Sequence, residues 1–134
     1  MFGTPESICP DFPEWPKRWE GVKEDVPYGQ ALLETFRPFV AHLVAKGLSN
    51  KVIRKHMDNL WLLGGEIIRD VSMNEEYDSV SPADKLKESV SPAGGLSCRH
   101  LTTDAEITSY MATCRGLDRF LRARPASSTA ADPS

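Results

Sequence analysis

Residues 47–71 read GLSNKVIRKHMDNLWLLGGEIIRDV, and this stretch decides the fold class. Ile53, Met57, Leu60, Gly64 and Ile67 recur at three- and four-residue intervals, the period of one helix face. Val52, His56, Leu63 and Ile68 flank that stripe. Lys51, Arg54, Lys55, Asp58 and Asn59 fall on the opposite side. Ser49 stands where its hydroxyl can accept from the first free amides of the helix. Gly64 and Gly65 each cost about 1 kcal/mol relative to alanine in a helix interior. The pair therefore predicts close approach of another backbone, or a bend. The second half, LWLLGGEII, reads as core, Trp61 included.

Upstream, Leu32, Phe36, Phe39 and Leu43 make a second helical stripe, widened by Leu33, Val40 and Val44. This predicts a helix from about Tyr28 to Lys46. Pro38 lies inside it and predicts a kink, because proline removes a backbone donor and crowds the preceding turn. Gly47 suits the left-handed residue that ends a helix, and Leu48 suits the apolar position after it.

Downstream, residues 72–95 form a polar connector in which SVSPA occurs twice, too little for a repeat architecture. Ser81-Pro82-Ala83-Asp84 has the order of a helix start, predicting a short helix over 82–90. Thr103-Asp104-Ala105-Glu106 is a capping box. The last helix should bury Ile107, Tyr110, Met111, Cys114, Leu117 and Leu121 and turn Arg115, Arg119 and Arg122 outward. No stretch alternates apolar and polar residues as a strand would. The expected architecture is all-α: a small bundle of about four helices over 27–124. An extended, acidic, Pro-rich N-terminal arm (1–26) precedes it and a disordered tail (125–134) follows. Trp15 and Trp19 in the arm are expected to dock on the protein's own helices, with partner binding as the alternative.

The 134 residues suit one domain, and the 26% of charged residues balances 40% hydrophobic ones as in globular chains. A net charge of −3 excludes a uniformly basic nucleic-acid binder. The charge is uneven, however: residues 36–71 carry six Lys/Arg against three acids, while 1–35 carry three against seven. Three cysteines without framework spacing argue against a disulfide scaffold and for a cytoplasmic setting. No apolar run is long enough for a membrane span.

Motifs for catalysis are missing. His42, His56 and His100 fall on separate elements, and the Cys98, His100 and Cys114 trio lacks ligand spacing. There is no phosphate loop and no nucleophile elbow. The expectation is a protein that is not an enzyme, with no cofactor, no metal and no small-molecule substrate.

The features that point to chemistry are basic. Lys51, Arg54 and Lys55 on one helix and Arg115, Arg119 and Arg122 on another could displace counterions from a phosphate backbone. Asn50, His56 and Asn59 could add hydrogen bonds. The alternative is an ordinary solvated face. Arg119 and Arg122 suit the negative end of their helix, but Lys51, Arg54 and Lys55 lie near a positive end that disfavours them.

The segment FRPFVAHLVAKGLSNKVIRKHMDNLWLL resembles the N-terminal core-binding domain of tyrosine recombinases and phage integrases. Gly47, Leu48 and Ser49 match its interhelical turn. Val52, Ile53 and Leu60 match its apolar positions, and His56 stands where tyrosine is commoner. That resemblance implies a helical domain clamping double-stranded DNA through its backbone, linked to a mobile element, with Lys51, Arg54 and Lys55 as contacts. The recombinase catalytic domain has no counterpart in this sequence. HMDNLWLLGGEIIRD and CRGLDRFL are also similar to a family of small uncharacterised bacterial proteins, which implies no activity. A protein-interaction module built on Trp15, Trp19 and the surface near Trp61 is the alternative function.

Overall fold

The computed structural model describes residues 5–19, 25–73, 80–90 and 101–123. The expected tail (125–134), residues 74–79 and 91–95 of the polar connector, and Cys98 and His100 lie outside the described residues. Within them every regular element is helical: α1 (Pro5–Ile8), a 3-10 turn (Phe12–Glu14), α2 (Trp15–Trp19), α3 (Asp25–Ala45), α4 (Asn50–Met73), α5 (Pro82–Val90) and α6 (Asp104–Ala123).

The four long helices are those the periodicity predicts, but the helices among the described residues number six. The additional two replace the expected extended arm. Its prolines begin helical turns instead of preventing them. Pro5 is the first residue of α1, Pro13 the second of the 3-10 turn and Pro16 the second of α2. In a first turn the amide that proline lacks would have no intrahelical partner in any case. The same tolerance lets α3 start at Asp25, with Pro27 in its first turn.

The caps follow the sequence closely. Gly47 ends α3 at φ 81°, its amide donating to the Val44 carbonyl at 2.9 Å. Ser49 Oγ accepts from the Val52 amide at 3.2 Å, and Ser81 Oγ from the Asp84 amide at 3.1 Å. Thr103 Oγ1 accepts from the Glu106 amide at 3.1 Å, and Glu106 Oε1 accepts from the Thr103 amide at 3.3 Å. The turn 47–49 is thus fixed at both ends, which sets where α4 leaves α3. Pro38 sits inside α3, which continues through it.

One hydrophobic cluster joins the elements. Leu32, Phe36, Phe39 and Val40 of α3 meet Ile53, Met57, Leu60, Leu63 and Ile67 of α4, Leu86 of α5 and Leu117 of α6. Phe12 and Trp15 are fully buried in the same cluster. Phe12 and Trp15 stack edge-on at 4.7 Å, and Arg37 lies over the Phe12 ring at 5.3 Å. Arg37 also binds both oxygens of Glu6, at 3.0 and 2.8 Å, tying α1 to α3.

Two expected faces are rotated. Asn59, assigned to the outer face of α4, is only 5% exposed. On α6, Ile107 and Met111 are exposed, while Tyr110, Thr113 and Leu117 are buried. The cause is polar pairing. Asn59 and Thr113 satisfy each other, so both can be enclosed between α4 and α6 without the cost of an unpaired buried group. An apolar count cannot register such a pair.

Candidate nucleic-acid interface

The contact between α4 and α6 is a polar cluster. Asn59 Nδ2 donates to Thr113 Oγ1 at 2.8 Å and lies 3.1 Å from both the Ser109 carbonyl and the Ser109 hydroxyl. His56 Nδ1 is 2.7 Å from Thr113 Oγ1. Thr113 Oγ1 also lies 3.3 Å from the Ser109 carbonyl. Burial, and then the charge of Lys46, depress the His56 pKa below its ordinary value, so the ring is neutral at pH 7.

This cluster corrects part of the sequence reading. Asn59 and His56 were expected as hydrogen-bond donors to a nucleic acid. They are committed to α6, because both helices would otherwise bury unpaired polar groups there.

The six basic candidates divide. All are exposed. Arg54 donates to the Ile8 carbonyl at 3.3 Å, at the end of α1. Arg122 is paired with Asp118 at 2.9 Å, one turn earlier on α6. Lys51, Lys55, Arg115 and Arg119 have no ion pair or hydrogen bond from their side chains among the described residues. Lys55 does exert a weak field on Glu106, whose carboxyl is held low chiefly by the amides of Thr102 and Thr103. Lys55 directly precedes His56, and Arg115 follows Thr113 by two residues. The unpaired cations fall in two pairs, Lys51 and Lys55 on α4 and Arg115 and Arg119 on α6, each pair one turn apart on its own helix.

Trp15 and Trp19 dock on the protein's own helices, the first of the two expectations for the arm. Trp15 is 1% exposed, and its indole packs on Phe12. Trp19 covers the glycine pair of α4 and donates from Nε1 to the Trp61 carbonyl at 3.0 Å. Both rings are spent on the protein's own helices, where they supply apolar area to a small core. Trp61, expected in the core, is 39% exposed instead. It stands between two grooves of about 380 and 330 Å³ that share Arg18 and Leu62.

Two buried features had no sequence signal. Lys85 is 3% exposed and meets Asp70 of α4 at 2.7 Å and Glu88 at 3.6 Å. Cys9 donates from Sγ to Asp11 Oδ1 at 2.8 Å. Burial, then the bond to Asp11, push its thiol up to about 11, which keeps it protonated and unreactive at neutral pH. Lys85 sits in a polar segment where its charge suggested solvent.

Among the described residues no helix is long and apolar enough to cross a membrane. No family model, curated protein or solved structure matches the chain. None of these comparisons identifies a recombinase core-binding domain.

Proposed function

We propose that the protein binds the phosphate backbone of double-stranded DNA without catalysis, through Lys51, Lys55, Arg115 and Arg119. The observation that supports this reading is the set of four exposed cations, two on α4 and two on α6, unpaired among the described residues. Lys51 and Lys55 gain nothing from the α4 dipole, which is positive at that end. Among the described residues neither makes an ion pair with a carboxylate, Asp58 one turn after Lys55 included. Phosphate oxygens would supply the missing counter-charge.

The reading carries no base specificity, since backbone contacts fix position and not sequence. Arg54 and Arg122 play a smaller part, because each already serves an intrachain bond. Fluorescence anisotropy with a labelled DNA duplex at low ionic strength tests the proposal. Binding should weaken about tenfold or more when Lys51, Lys55, Arg115 and Arg119 are changed to alanine together. Absence of binding at low salt would end it.

A second reading, as a protein-interaction module, is favoured by Trp61, the half-exposed ring between the two grooves. Trp61→Ala separates the two. Backbone binding predicts unchanged DNA affinity for this variant, whereas loss of a protein partner would favour the second reading.

A further inference from the structure

The outer face of α4 carries a row that the backbone-binding reading does not use: Asp58, Leu62, Gly65 and Arg69. Intervals of four, three and four residues hold the row on one stripe of the helix, and this spacing reads the same from either end. Asp58 and Arg69 are exposed, and neither enters an ion pair among the described residues. Leu62 is half-buried and Gly65 presents no side chain. With Trp61, these residues line the two grooves on either side of that ring. We propose that the row is a dimer interface. In it, α4 packs antiparallel against α4 of a second copy of this chain, about a two-fold axis between Leu62 and Gly65.

The order of charges selects the partner. An isologous contact sets each position of the row against its mirror position in the other copy. Asp58 then faces the partner's Arg69, and Arg69 faces the partner's Asp58. Two ion pairs form and no like charges meet within the row. A parallel two-fold pairing would instead set Asp58 against Asp58 and Arg69 against Arg69. Leu62 faces the partner's Gly65, so a large side chain meets a position with none and the helices can approach closely. Trp61 flanks the row on the side of the groove of about 380 Å³ that Trp19, Gly65 and Arg69 line. The two-fold axis carries the ring into that groove of the partner, giving it the cover it lacks in one chain, where it is 39% exposed. Lys51 and Lys55 lie nearer the start of α4, outside the row, so the dimer does not depend on DNA binding. A single helix pair is a small interface, and the association is weak and reversible.

The test is sedimentation velocity of the whole chain from about 5 to about 500 μM, a range that covers weak association. The chain should pass from monomer to dimer as concentration rises. Asp58→Arg and Arg69→Asp each bring like charges together, and each should weaken self-association about tenfold or more. Mixed in equal amounts, the two variants should form a heterodimer, because every pair across the axis is then opposite in sign. Both changes in one chain should restore the homodimer. Both positions are exposed, so the variants should keep the helical circular dichroism of the parent. A chain that stays monomeric over the whole range overturns the proposal and leaves this face to a different partner or to solvent. A dimer that both single variants leave intact overturns it too, since another face then makes the contact. Single variants that lose the dimer and stay apart when mixed overturn the antiparallel pairing.

Discussion

The indole of Trp19 lies where the side chain of residue 64 would be. A Cβ built on Gly64 would overlap Cζ2 and Cη2 of that ring, whereas one on Gly65 would stand 3.5 Å from its nearest atom. Two adjacent glycines thus have different duties. Gly64 makes the seat for Trp19, and Gly65 is in ordinary contact with it. Gly64→Ala should destabilise by about 1–3 kcal/mol through overpacking, despite a helix-propensity gain of about 1 kcal/mol. Gly65→Ala should be neutral or stabilising by up to about 1 kcal/mol. Urea denaturation of the two variants checks the contrast.

Thr113 is the shared partner of His56 and Asn59. Thr113→Val keeps the shape but removes the oxygen, leaving the Asn59 amide with fewer acceptors inside the α4–α6 contact. The expected loss is about 1–3 kcal/mol, read from the denaturation midpoint at an unchanged slope.

The depressed pKa of His56 makes stability depend on pH in a defined direction. The folded state favours the neutral ring, so the unfolded chain binds the proton more readily. The stabilisation is complete above the ordinary value of 6.5 and is lost as pH falls below it toward the folded pKa. Glu6, Asp11 and Glu106, held below their ordinary values, act in the same direction only at lower pH, below the usual carboxylate range. Thermal melts without DNA should therefore show a decline in Tm starting near pH 6.5, and His56→Gln should flatten that part of the curve.

The long helices and their caps were legible because period and capping chemistry are local. Ser49, Ser81, Thr103 and Gly47 each declare themselves within four residues. The misreadings share a different cause. Trp15 and Trp19 fold into helical turns because prolines can start a helix as well as interrupt one, and only the distant glycine pair shows where Trp19 goes. Asn59, Thr113 and Lys85 are buried polar residues whose partners lie on other helices, so no window along the chain contains the reason. The basic candidates were visible as a set. Asp118 stands one turn before Arg122, so that pair was within reach of the sequence, whereas the bond of Arg54 to Ile8 spans 46 residues and was not.

The pair Lys85–Asp70 joins α5 to α4 with the ammonium enclosed. Removing the acid leaves a buried charge, and removing both charges leaves none. Asp70→Asn should cost about 2–3 kcal/mol, below the value for a fully enclosed pair because Asp70 is partly exposed and Glu88 stays close. Lys85→Met with Asp70→Asn should be nearer to wild type than Asp70→Asn alone. Chemical denaturation of the single and double variants measures the difference.

The salt dependence of DNA binding tests backbone recognition most directly. Four phosphate contacts predict a slope of about −3 to −4 in log affinity against log salt concentration. Changing Lys51 and Lys55 to alanine should bring the slope to about half that value, while the variant remains folded. A slope near zero, or a slope unchanged in the folded variant, would contradict the assignment of these residues.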